Sequence, residues 1–168
     1  MALIEADITG VMDRFRRLEQ QPRGPSNNPF TLRCTVAAAA TDDEVSSAWG
    51  TIVLPPQVRE LWLSTREARL FEDVMHGQWG LSILSPSVAR ALTAKWQATR
   101  SQDVEQSDVV IGEFLGDSEL LVVTSAGDVL VALPLDSRAD WPRPAPSLAQ
   151  FLDRYRESVG DKYWEETS

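Results

Sequence analysis

Eight carboxylates, Asp103, Glu105, Asp108, Glu113, Asp117, Glu119, Asp128 and Asp136, fall between Ser101 and Ser137, a stretch without a lysine or arginine. Carboxylates at this density could hold a hard cation, flank a glycosidic bond, or attract a basic surface. A Ca²⁺ or Mg²⁺ site draws closely spaced ligands from one tight loop, and no such loop is written here. Glycoside hydrolysis needs two carboxyl groups across a sugar cleft, and no residue pattern marks one. The acids therefore read as solvated strand ends, which protect a sheet from mispairing, or as a surface for a basic partner. His76 is the single histidine and has no nucleophile tied to it by motif, so it reads as a loop residue rather than a base. Cys34, the single cysteine, precedes an alanine run and reads as an inert, half-buried thiol.

The elements that would position these groups follow from apolar spacing. From about Asp7 to Gln21, Ile8, Val11, Met12, Phe15 and Leu18 recur at helical intervals. Pro22 to Pro29 reads as a loop, and Phe30 to Val36 is ambiguous between extended chain and coil. Thr41 with Glu44 has the capping-box spacing and starts a short helix that buries Val45, Ala48 and Trp49 and stops at Gly50. Leu54-Pro55-Pro56 opens another, with Val58, Leu61 and Trp62 on its apolar stripe. Extended segments are expected near Leu70-Phe71 and over Trp79 to Leu84. Ser85-Pro86 then starts a helix ending near Thr99, with Val88, Leu92 and Trp96 inward.

Val109 to Phe114, Leu120 to Ser125 and Val129 to Leu133 read as three strands. Their connections are so short that they must form an antiparallel meander. Leu120-Leu121-Val122-Val123 is apolar on both faces, so the middle of the sheet is expected to be covered on each side. Ser147, with Gln150 in the box position, caps a last helix that turns Leu148, Phe151, Leu152 and Tyr155 inward and stops at Gly160. The meander should gather Glu113, Asp117, Glu119 and Asp136 at one end and Asp108 and Asp128, near Asp103 and Glu105, at the other. The fold class is α+β: a central antiparallel sheet containing a meander, with helices packed around it. Of the six tryptophans, Trp49, Trp62 and Trp96 are expected in the core; Trp79, at a strand entrance, is expected at a rim, and Trp141 is unassigned.

The chain has 168 residues with 16 Lys+Arg against 25 Asp+Glu, a net charge of −9, and outside the acidic stretch its 17 acids nearly balance its 16 bases. Such a balance opposes direct nucleic-acid binding. With one histidine and one cysteine, zinc sites built from several such ligands are excluded. No apolar run approaches the roughly 18 residues of a membrane span. The first residues lack the pattern of a signal peptide, so the expected location is cytoplasmic.

The order of several short motifs resembles the SUKH superfamily, which includes immunity proteins against bacterial polymorphic toxins and a fungal cell-wall assembly regulator. The matching residues are Thr41-Asp42-Asp43-Glu44-Val45, Leu54-Pro55 with the helix through Trp62, Arg69-Leu70-Phe71-Glu72-Asp73, and Gln78-Trp79-Gly80-Leu81. Val110-Ile111-Gly112-Glu113-Phe114 with Gly116-Asp117, then Gly127-Asp128-Val129, and finally Pro146-Ser147-Leu148-Ala149-Gln150-Phe151-Leu152 complete the series. Where the family often carries Asn-Gly after the Leu-Pro helix, this chain has Ser64-Thr65-Arg66-Glu67-Ala68. The resemblance implies a SUKH-like domain over residues 36–160, preceded by an N-terminal helix and Pro-rich loop (1–35) packed on it and followed by a short tail (161–168).

The resemblance also implies a protein without catalytic activity or cofactor that works by binding another protein, typically a toxin domain and often a nuclease. The acid distribution and the resemblance together place partner contact at Glu72, Asp73, Trp79, Glu113, Asp117 and Glu119. The leading expectation is an immunity protein that occludes a basic toxin, with no metal, no direct nucleic acid and no membrane. The alternative is a regulatory or scaffold module with a small-molecule or peptide pocket; a hydrolase stands third.

Overall fold

The structure, a computed structural model, describes residues 7–19 and 31–165. These form α1 (Ile8–Leu18), β1 (Leu32–Val36), α2 (Asp42–Trp49), α3 (Pro56–Ser64), β2 (Ala68–Asp73), β3 (Leu81–Ile83), α4 (Pro86–Thr99), β4 (Val109–Phe114), β5 (Leu120–Val123), β6 (Val129–Ala132) and α5 (Leu148–Glu157), with short 3-10 turns at Arg138–Asp140 and Tyr163–Glu165. The strands lie in chain order in one sheet, and every neighbouring pair is antiparallel. The fold is α+β with helices around an antiparallel sheet, and the β4–β5–β6 meander lies between α4 and α5 in the chain as expected. The loop read at Pro22 to Pro29 lies outside the described residues.

The helices start where side chains satisfy their first free N–H groups. The Asp7 carboxylate accepts from Gly10 N, Thr41 Oγ1 from Glu44 N, Ser85 Oγ from Val88 N and Ser147 Oγ from Gln150 N. The box at Thr41 closes on one side only, because the Glu44 carboxylate turns away to Arg66, with contacts of 2.9 and 2.7 Å. A fixed guanidinium fork outcompetes a single backbone donor for that carboxylate.

Two apolar layers sandwich the sheet. On one face α1, α3 and α5 pack over Leu70, Leu81, Ile83, Ile111, Leu121 and Val131. On the other, Leu92 and Trp96 of α4, with Val104 and Trp141, cover Val110, Leu120, Val122, Leu130 and Ala132 of the meander. Both faces of the meander are therefore covered, which is why its strands read as unbroken apolar runs. In α4 the orientation differs from expectation. Val88 is 52% exposed; Leu92 and Trp96 are half-buried against the meander, and the fully buried positions are Pro86, Ala89 and Thr93. The reason is hydrogen bonding at the helix start: Trp49 Nε1 donates to Pro86 O at 3.0 Å and Trp62 Nε1 to Leu84 O at 2.9 Å. Thr93 Oγ1 also accepts from Val110 N at 2.9 Å, so the small, polar side of the helix meets the sheet.

A bulge in β2 decides which side chains reach the surface. Arg33 pairs with Glu72 and Thr35 with Arg69, so Leu70 and Phe71 together oppose Cys34. Phe71 takes φ +54°, and both Leu70 and Phe71 enter the core. Without the extra residue Arg69 and Glu72 would point to opposite faces; with it they share one and form an ion pair at 2.5 Å. The far edge of the sheet is occupied: Val129 pairs with Ala145, and Val131 N donates to Pro142 O at 3.0 Å.

Candidate functional site

One end of the sheet is built from three connections. In the β2–β3 turn, the buried Asp73 carboxylate accepts from the backbone N–H groups of Met75, His76 and Gln78 at 3.0, 3.2 and 3.4 Å. Burial works against the charge, but the three donors outweigh it and hold the carboxyl below its ordinary value. The β4–β5 hairpin docks against the same turn, with Leu115 N donating to Gly80 O at 2.8 Å. A Cβ at Gly116 (φ +91°) would lie 2.4 Å from Gln78 O, so the approach requires glycine.

The third connection is the segment after α5. The Lys162 ammonium bonds to Asp117 and to Glu119, the latter at 2.8 Å, and lies 5.3 Å from the centroid of the Phe114 ring and 5.8 Å from that of Trp79. Only 8% of its side chain is exposed. Burial disfavours the ammonium, but the two carboxylates outweigh that effect and raise its pKa. Trp79 Nε1 donates to Gly160 O at 3.1 Å, and Trp164 packs on Phe114 and Phe151 with ring centroids 5.5 and 5.6 Å away.

Beside this end, the second face of the sheet is polar over β1–β3 and the adjoining side of β4. Arg33, Thr35, Arg69 and Glu113 are exposed there, and Glu72 and Ser82 are half-buried. A shallow depression of about 310 Å³ lies between Thr35, Ala37, Glu67, Arg69 and Ser82.

The six residues chosen from sequence divide accordingly. Trp79, Asp117 and Glu119 meet around Lys162; Asp73 is buried as the organiser of its turn; Glu72 and Glu113 stand on the polar face. The acids expected near Asp108 and Asp128 are paired with cations. Arg138 bonds both Asp108 oxygens at 2.5 and 3.2 Å and sits 3.7 Å from Glu105, Arg100 pairs with Asp103 at 2.8 Å, and Arg143 approaches Asp128 at 3.6 Å. The Asp136 carbonyl accepts from Arg100 and from Trp141 Nε1. The cations come from just outside the acid-only stretch, since Arg100 and Arg138 are the residues that flank it.

Lys162 escaped the sequence reading, which left 161–168 as a tail. The available signal was the neighbouring aromatic pair Tyr163-Trp164. His76 is exposed, its backbone N–H donating to Asp73 and its carbonyl accepting from Gln78 Nε2 at 3.4 Å, and Cys34 is buried with its Sγ accepting from Phe71 N at 3.4 Å. Among the described residues, no group of three or more His, Cys, Asp or Glu side chains could hold a metal ion, and no helix is long and apolar enough to cross a membrane.

No model of a known protein family matches the chain. It is 24% identical over 151 residues to the mouse (Mus musculus) protein named NACHT, LRR and PYD domains-containing protein 1b allele 5. The match takes in 75% of this chain and 12% of that protein.

Proposed function

We propose that the chain is a non-catalytic protein-binding domain that neutralises a cognate bacterial toxin by occluding it, as its resemblance to SUKH immunity proteins implies. The observation that carries the protein-binding reading is the uncovered polar half of the sheet, a rigid surface bearing Glu72 and Glu113 and adjoining the end that holds Asp117 and Glu119. Strands place these groups with little conformational freedom left to lose on association. The partner would be a basic domain such as a nuclease, drawn in by the net charge of −9. Asp73 and Trp79 would shape the contacting end.

The test is co-expression with the product of the gene that neighbours this one, followed by mixing of the purified proteins. Restored growth and a one-to-one complex that blocks the toxin's activity are expected. Unrelieved toxicity with a folded chain, or turnover of a substrate by this chain alone, would overturn the reading.

A second reading is favoured by the mouse protein, in which the similar stretch is a small part of a much longer chain. On that reading the domain is a regulatory or scaffold module, with the depression beside Thr35 and Arg69 as a peptide pocket. It predicts binding of a peptide without any effect on a toxin.

A further inference from the structure

The segment that follows α5 is attached to the sheet through its side chains. Over the described residues from Asp161 onward the backbone hydrogen bonds are local: Asp161 N to Ser158 O, Tyr163 N to Asp161 O and Glu165 N to Lys162 O. Among the described residues no strand pairing ties it to the sheet; side chains do. Lys162 reaches Asp117 and Glu119, the Tyr163 hydroxyl donates to Pro144 O at 3.0 Å, and Trp164 rests on Phe114 and Phe151. A segment held this way can open without breaking the sheet.

Backbone strain gathers at the same place. The described non-glycine residues with positive φ are Phe71, Ser118 and Val159. Ser118 lies between the two carboxylates that hold Lys162, and Val159 is the turn into the segment. Phe71 is the residue that a Cβ on Gly160 would strike, at 2.6 Å. A branched residue such as Val159 avoids the left-handed region unless the surroundings impose it. Strain of this kind persists where other contacts over-determine it and is concentrated at switching elements.

We propose that residues 161–165 are a latch that alternates between this docked state and a released one, with Lys162 as its bolt, release uncovering Asp117, Glu119 and the rings of Trp79 and Phe114 to an external cation. In the docked state Lys162 occupies the position that a basic group of another molecule would take. The opening is a property of this chain and does not rest on the toxin-binding reading.

The test compares the full chain with Lys162→Met, Lys162→Arg and, as a control of equal charge change, Lys95→Met on the exposed part of α4. Hydrogen exchange at the amides of Tyr163, Trp164 and Glu165 should accelerate at least ~10-fold in Lys162→Met and stay near the parent rate in Lys162→Arg. The β5 amides should be unchanged. Hexalysine peptide at low salt should bind Lys162→Met at least ~5-fold more tightly than Lys95→Met. Unchanged exchange at 163–165 would show that the rings alone hold the segment and would overturn the latch. Equal acceleration of β5 would also overturn it, by making the segment part of the cooperative core. Equal hexalysine affinity of the two methionine variants would overturn the claim that release uncovers the acids.

Discussion

At the scale of single residues, two acids that a charge count treats as surface are internal to the fold. Asp108 is buried, and besides Arg138 it receives Glu105 N at 2.8 Å. Replacing it with alanine leaves the Arg138 guanidinium, which lies over the Trp141 ring, without its main partner, and removing one side of a buried ion pair costs roughly 3–5 kcal/mol. Asp108→Ala should lower the urea midpoint by a corresponding amount; a change below about 1 kcal/mol would mean that Glu105 and Asp103 take over.

Asp73 gives a pH signature. Its folded pKa lies below the ordinary 3.8, so its charged form stabilises the protein fully above that value. The contribution is lost as the pH falls through the lowered folded value. Asp103 is lowered in the same direction by Arg138 N and Arg100, so both act in one acid window below about 3.8. In Asp73→Asn the melting temperature should fall less steeply over that window than in the parent. Parallel slopes would remove Asp73 from the account.

Among elements, α4 separates what periodicity predicts from what packing selects. Val88→Lys should change stability by about 0.5 kcal/mol or less because the side chain faces solvent. Thr93→Val, nearly the same shape, strands the Val110 N–H and should cost about 1–3 kcal/mol. Chemical denaturation of both variants distinguishes this orientation from the one expected from apolar spacing, in which Val88 would be the costly position. Gly116→Ala should likewise destabilise the β4–β5 hairpin, since its Cβ would meet a backbone oxygen that cannot move aside.

These cases show what was legible. Helix starts were read correctly because Thr41, Ser85 and Ser147 signal through their immediate neighbours. The three-strand meander was readable because Gly116-Asp117-Ser118 and Ala126-Gly127-Asp128 leave no room for a crossover. The β2 bulge was not, since Arg69-Leu70-Phe71-Glu72 reveals its extra residue only beside Cys34, 37 positions away in the chain. The same holds for the candidate site: Asp117, Glu119 and Trp79 were singled out, but the lysine that joins them comes from a contact spanning 43 residues from Glu119.

For the whole molecule, the excess of acids over bases is real but its accessible part is narrower than the sequence implies. Lys162, Arg100, Arg138 and Arg143 each engage carboxylates of the acidic stretch, whereas Glu113 stands exposed on the polar sheet face. Glu113→Lys is thus a cleaner probe of partner steering than reversal of Asp117 and Glu119, which would place three cations together at the latch. It should slow association with a basic partner several-fold at low salt, with the difference shrinking as salt rises. Stopped-flow rates equal to the parent at low salt would move the contact off this face.

The tryptophans divide the molecule into regions that report separately. Trp49 of α2 and Trp62 of α3 have ring centroids 5.8 Å apart, Trp96 and Trp141 share Arg100 at 5.2 and 5.4 Å over the meander, and Trp79 and Trp164 sit at the latch. The pairs differ in their surroundings: two buried, tilted indoles with Arg90 over one ring, two rings sharing one guanidinium, and a partly exposed end beside Lys162. Intrinsic emission is therefore a composite of three signals, and a probe-dependent unfolding curve would identify which region opens first. Two indoles as close as Trp49 and Trp62 should also couple their electronic transitions, so Trp62→Phe should erase an exciton feature from the circular dichroism spectrum while the latch indoles keep their own emission.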